Sequence, residues 1–158
     1  MKTFFQNKWI EFHPKDKEYY YWSKTTETGN YGKKLRQKIG SEKIEIYFDG
    51  DKEKELSGSE YFGIGSVSIS ENDKLMAYSL DLKGSEYYDI LIKDLVTNEI
   101  IDTKITNTSG GITWNLDNKS FFYTPLDEYH RSRKIYKHIL GTSTKEDVLI
   151  FEEEDETF

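Results

Sequence analysis

The chain of 158 residues carries a net charge of −7, 15 % aromatic residues and no cysteine. Its length suits one ordinary globular domain with a real core. The acidic balance excludes a nucleic-acid reading, which needs a concentrated basic patch, and without thiols no disulfide or thiolate metal site can form.

Residues 1–17 are polar and contain His13-Pro14, a turn or extended dipeptide, so they read as an irregular leader. They lack the apolar core of a signal peptide, and no stretch reaches membrane-spanning length. A soluble chain in the reducing cytoplasm is expected. Glu18-Tyr19-Tyr20-Tyr21-Trp22-Ser23 is an aromatic strand, followed by the hairpin connection Thr25-Thr26-Glu27-Thr28-Gly29-Asn30. Residues 35–39 and 44–48 read as two more strands, giving a first four-strand unit without a clear inner strand. Residues 49–58 read as a charged linker and 59–65 as a lead-in.

Ser66-Val67-Ser68-Ile69-Ser70 alternates cleanly, with two apolar residues on one face. The turn Glu71-Asn72-Asp73-Lys74 leads to a strand at 75–80, a Gly-containing hairpin at 81–86, a third strand marked by Tyr88, Ile90 and Ile92, and a fourth at 99–105. The pattern then recurs about forty-five residues later. Val67 and Ile69 fall opposite Ile112 and Trp114, Tyr78 opposite Tyr123, and Ile90 and Leu95 opposite Ile135 and Leu140. The second copy comprises strands at 111–115, 120–124, 134–140 and 148–152, with the turn Leu116-Asp117-Asn118-Lys119 after the first. Four short strands repeating at this period predict blades of a β-propeller, an all-β fold. The blades are expected at about 18–58, 59–106 and 107–158, a partial propeller of two and a half blades. A β-sandwich with accidental self-similarity is the competing architecture. No window shows a sustained 3.6-residue apolar period, so helix content should be low.

Several segments resemble the oligopeptidase B (protease II) branch of the prolyl oligopeptidase family of serine peptidases. They are Glu18-Tyr19-Tyr20-Tyr21-Trp22-Ser23-Lys24, then Val67-Ser68-Ile69-Ser70 with Leu75-Met76-Ala77-Tyr78-Ser79, and Lys93-Asp94-Leu95. Asn107-Thr108-Ser109-Gly110-Gly111 before Trp114 is similar too, with Phe122-Tyr123, Leu126-Asp127-Glu128, His138, Leu140-Gly141-Thr142, Glu146-Asp147 and Glu152-Glu153 after it. The resemblance implies a seven-bladed propeller that admits only small substrates to an α/β-hydrolase domain. That domain bears a Ser, Asp and His and cleaves short peptides after Arg or Lys. The chain corresponds to about a quarter of such a protein, starting after its N-terminal extension and stopping at the end of a third blade.

The chemistry of that hydrolase is not written here. A nucleophile elbow, G-x-S-x-G, is absent; Ser66, Ser85 and Ser109 lie near glycines but read as strand or turn. His13, His130 and His138 read as structural or solvated. The catalytic, cofactor-binding and metal residues expected are therefore none. His130 and His138 are too few for a metal site, and Asp49-Gly50-Asp51 lacks the ligand series of a calcium loop. Asp127 and Glu128, being adjacent, face opposite sides of a strand and do not make an acid–base pair. Glu152-Glu153-Glu154-Asp155-Glu156 reads as a solvated linker, and Ser109-Gly110-Gly111 as a tight turn. The sequons at Asn107 and Asn118 carry no weight without secretion.

The expected function is a piece of the substrate-gating propeller, inactive by itself. Its expected partners are the remaining blades or a separate catalytic α/β-hydrolase chain, with peptide substrates only in that context and neither nucleic acid nor membrane. The rival reading is an autonomous binding or scaffold module.

Overall fold

Apolar–polar alternation becomes antiparallel sheet along most of the chain. A computed structural model describes residues 2–5, 8–11, 18–25 and 27–155, which fall into two units, Met1–Ser59 and Glu60–Phe158. In the first unit β1 (Lys2–Phe5), β2 (Lys8–Glu11), β3 (Tyr19–Lys24), β4 (Lys33–Lys38) and β5 (Ile44–Asp49) form one sheet in chain order. Two strands therefore lie inside the segment read as an irregular leader. Thr3-Phe4-Phe5 and Trp9-Ile10 are strong β-formers, but each run is too short to show a period. Because β2 pairs with β3 at Glu11–Tyr21, strands do precede β3, where none was expected.

The charged linker at 49–58 is also corrected. Residues Gly50–Ser57 form the helix α1. Asp49 caps its start by accepting the Lys52 N–H at 3.2 Å, Asp51 and Glu53 lie in the first turn, and Gly58 closes the end at φ 63°. Within the helix only Gly50 is buried. Caps and charge hold it rather than an apolar stripe, so hydrophobic periodicity could not reveal it.

In the second unit β6 (Gly63–Ile69), β7 (Leu75–Asp81), β8 (Tyr88–Asp94), β9 (Ile100–Trp114), β10 (Ser120–Pro125), β11 (Lys134–Ile139) and β12 (Val148–Glu152) run in chain order through one antiparallel sheet. The forty-five-residue repeat is a repeat of register. Tyr78 pairs with Val67 and Leu91, and Tyr123 pairs with Ile112 and Tyr136. The Leu95 N–H reaches the Lys74 carbonyl at 2.9 Å, and Leu140 reaches Lys119 at 2.9 Å. The turns match as well, with Asp73 at φ 63° and Asn118 at φ 57°. Only the outer strands slip: Ile90 pairs with Ile105, but Ile135 pairs with Phe151.

The expected break at 106/107 falls inside β9. Its first half pairs with β8, through Ile92–Ile101 and Ile90–Ile105, and its second half with β10, through Ile112–Tyr123 and Trp114–Phe121. One strand thus closes the first repeat and opens the second. It bends where Asp102, Asn107 and Gly110 take φ of 69°, 58° and 88°, the bulged geometry that lets a strand change partners. Ser109-Gly110-Gly111 is accordingly bulged strand and not a tight turn.

Gly110 is required there for room as well as for φ. An added Cβ would stand 2.9 Å from Tyr88 Cγ and 3.1 Å from Ser79 Oγ. Gly65, one repeat earlier, lies against the same two side chains, with 2.5 Å to Ser79 Oγ and 2.8 Å to Tyr88 Cδ1. The buried Ser79 hydroxyl donates to the Gly110 carbonyl at 2.7 Å and accepts the Ser66 N–H at 2.9 Å. It ties β6, β7 and β9 together.

Between the repeats lies a core of Ala77, Ile90, Ile92, Ile105, Phe121 and Tyr123, with Trp114, Tyr136 and Leu140 packed against it. Ala77 and Ile92 face each other across β7 and β8, while Phe121 and Tyr123 come from β10. Burial of Phe121, at 0 % exposure, contributes roughly 1.5–3 kcal/mol.

Candidate functional site

The most concentrated chemistry among the described residues lies in this seam. His138, on β11, is buried, with Nδ1 2.6 Å from Asp147 Oδ1 and Nε2 2.9 Å from Asp102 Oδ2. All three side chains are at most 3 % exposed. Tyr123 donates its hydroxyl to the second oxygen of Asp147 at 2.6 Å. Burial first, then this bond and the charge of Asp147, hold the Tyr123 hydroxyl far above the ordinary phenol range. Phe121 covers the imidazole with ring centroids 5.4 Å apart.

Each position follows from the strand pattern. Phe121 and His138 are cross-strand partners, as are Tyr123 and Tyr136, so all four side chains share the face turned towards the first repeat. Asp102 reaches them from the left-handed bend of β9. Asp147 follows a 3₁₀ turn, Thr144–Glu146, whose capping box joins Ser143 and Glu146.

What this arrangement can do is set by its hydrogen bonds. A catalytic histidine needs one nitrogen on an orienting carboxylate and the other on a nucleophile or substrate. Both nitrogens of His138 are engaged by carboxylates, and the group is shut away from solvent. It is a structural tie between strands and leaves no ring nitrogen free for a reaction. Its carboxylates lie on opposite sides of the ring, and no group of three or more potential ligands that could hold a metal exists among the described residues.

A second polar cluster joins the hairpins at one end of the sheet. Asp81, 1 % exposed, accepts the backbone N–H groups of Lys83, Gly84 and Glu86 at 2.7–3.0 Å. Burial pushes its carboxyl up, but the donors outweigh burial and hold it below its ordinary value. In the next hairpin Asp127 accepts from Tyr129 and Arg131, and these bonds hold it low as well. The two hairpins are lashed together. Tyr87 donates to the Asp127 carbonyl at 2.7 Å, His130 Nε2 meets the Ser85 carbonyl at 2.8 Å, and the Tyr87 and His130 rings lie 4.0 Å apart.

The remaining sequence candidates are spread through the fold. His13 lies outside the described residues. Ser66 is on β6, Ser109 on β9 and Ser85 in the first hairpin. Asp49 caps α1 and Asp51 accepts the N–H groups of Asn30 and Tyr31, so neither forms a calcium loop. Four basic residues pair with carboxylates of the chain itself: Lys33 with Asp49, Arg36 with Glu45, Arg131 with Asp127 and Lys134 with Glu152.

The Asp102–His138–Asp147 chain was missed in the sequence, although a signal was there. Asp102 and Asp147 are separated by the repeat offset itself, so a carboxylate at one position had a counterpart at the other.

Residues 1–158 match the family model described as prolyl oligopeptidase, N-terminal beta-propeller domain. Dipeptidyl aminopeptidase BI of Pseudoxanthomonas mexicana is 34 % identical over 103 residues, covering 65 % of this chain and 14 % of that protein. Protease 2 of Moraxella lacunata is 33 % identical over 101 residues, covering 63 % and 15 %. The structure of oligopeptidase B from Leishmania major superposes with a TM-score of 0.80 at 28 % identity, over 87 % of this chain and 20 % of that one. The aligned part of the chain thus spans about one seventh of the length of the curated relatives it matches. Its strands are blade strands of a β-propeller.

Proposed function

We propose, on the premise that this chain belongs to the prolyl oligopeptidase family through its N-terminal β-propeller domain, that it forms part of the substrate-gating propeller of an oligopeptidase B-like serine peptidase. The blades run over about 18–58, 59–106 and 107–158, the last two sharing β9. By itself the chain does not hydrolyse peptides. Its role is exercised together with an α/β-hydrolase domain and further blades, supplied by the same protein or by a separate chain, acting on short peptides after Arg or Lys in the cytoplasm. No helix of the described residues is long and apolar enough to cross a membrane.

The observation that carries this reading is the family match over residues 1–158 in a sequence without G-x-S-x-G. The tie at His138 supports it, since this histidine is committed to two carboxylates and holds repeats together.

The test is direct. The purified chain is incubated with fluorogenic Arg and Lys peptides and with a serine-directed fluorophosphonate. No turnover above buffer and no labelled serine are expected. Specific labelling of any Ser would overturn the reading. Size-selective peptide hydrolysis on mixing with an oligopeptidase B-type hydrolase domain would establish the gating role.

A further inference from the structure

Ionised carboxylates accept hydrogen bonds and cannot donate them. The contacts at 2.6 Å and 2.9 Å around His138 are therefore both satisfied only when Nδ1 and Nε2 each carry hydrogen, which makes the ring a cation between two anions. The three groups do not belong to one repeat. His138 and Asp147 lie in the second, whereas Asp102 lies in the half of β9 that pairs with β8 of the first. We propose that Asp102–His138–Asp147 is a charge-dependent clasp on the seam between the two repeats, closed while His138 holds both ring protons and loosened when the ring gives one up.

The groups facing the ring set the direction. Asp102 comes from β9, Asp147 from the link into β12 and, behind Asp147, Tyr123 from β10, which also lays the Phe121 ring over the imidazole. A neutral ring turns a lone pair towards one of two buried carboxylates at hydrogen-bonding distance, an arrangement that low polarity makes costly. Asp147 keeps the Tyr123 hydroxyl in either state and sits in the same repeat as His138. Asp102 belongs to the opposite repeat and can withdraw with it. The seam, and not the interior of either repeat, is where the lost proton is felt. The clasp weakens when either ring N–H loses its carboxylate acceptor or the ring loses one of its two protons.

This inference stands apart from the peptidase reading, because it concerns the seam alone. Its test uses the full chain, labelled with ¹⁵N-histidine, over a pH series. NMR reads the protons on His138, and amide hydrogen exchange, corrected for its intrinsic pH dependence, reads the seam. Two ring N–H groups at the acid end and one at the alkaline end are expected. With that change, exchange in 100–105 and 120–123 should accelerate at least about tenfold relative to 63–69, the scale of one lost charge-assisted hydrogen bond. In Asp102→Asn the pH-linked step should vanish. A ring that keeps one protonation state throughout would overturn the proposal, as would a step unchanged in Asp102→Asn. If that variant does not fold, the unmodified chain still decides: ring deprotonation with no acceleration at the seam refutes the clasp.

Discussion

Trp114 donates its indole N–H to the Ser68 carbonyl at 3.1 Å, so the aromatic residue that marks the second repeat is bonded to the strand that opens the first. Asn118 does the same one turn later, accepting the Asn72 N–H at 2.7 Å. Inner strands of neighbouring repeats are therefore joined by side chains reaching for backbone, at positions that differ by one from strict repeat equivalence. Trp114→Phe keeps most of the ring but removes this N–H donor. It should cost about 1 kcal/mol in urea unfolding, and Trp114→Ala about 3–5 kcal/mol. Equal effects of the two would show that the hydrogen bond matters less than the shape.

Gly65 and Gly110 should be intolerant for different reasons. At Gly65 an added methyl collides with Ser79 Oγ and the Tyr88 ring, whereas at Gly110 the collision is compounded by a φ of 88°. Either change to Ala should destabilise the chain by about 1–3 kcal/mol, as overpacking does, with a further ~1 kcal/mol at Gly110 for the left-handed backbone. Adding Tyr88→Leu should recover part of the loss at Gly65 and less at Gly110. Thermal unfolding of the four variants measures this, and equal recovery would contradict the strain component.

The Asp81 hairpin should lend the chain acid sensitivity. Although burial raises its carboxyl, the N–H donors of the hairpin outweigh it, so the folded value lies below the ordinary 3.8. A depressed folded value means stabilisation that is present above the unfolded value and lost as pH falls through the folded one. Unfolding free energy should thus decline below about pH 4, and Asp81→Asn should flatten that decline while costing about 1–3 kcal/mol at neutral pH. An unchanged acid slope in the variant would show that other carboxylates carry it.

Strand β12 should make the isolated chain self-associate. Val148, Leu149, Ile150 and Phe151 are 44–52 % exposed, so both faces of an edge strand present apolar area. Sedimentation should show mass growing with concentration, and Val148→Lys with Phe151→Glu should suppress that growth. A monomeric, sharply and reversibly melting parent chain would instead favour an autonomous module.

Much of this fold was legible, and the reason is physical. Val67, Ile69, Ile112 and Trp114 occupy alternate positions of β6 and β9, and period two is what a pleated strand imposes on sequence. Tyr78 and Tyr123 stand out because large side chains recur where each repeat packs. What stayed hidden is held by other forces. Helix α1 rests on the caps at Asp49 and Gly58, and the continuity of β9 depends on left-handed turns at Asp102, Asn107 and Gly110. The clasp at His138 needs tertiary proximity between residues thirty-six positions apart, and the repeat offset that relates Asp102 to Asp147 does not say which side chain bridges them.

The sharing of β9 also dictates where this architecture can be cut. A circular permutant or transplanted cassette opened between Ile105 and Thr108 would divide a strand that pairs with β8 on one stretch and β10 on the next, stranding half of its ladder on each side. The exposed turn around Thr97 and Asn98 interrupts no ladder and recurs one period later near Ser143. The interchangeable unit of this molecule accordingly runs from turn to turn, beginning with an outer strand, and is offset from the blade as it is usually drawn.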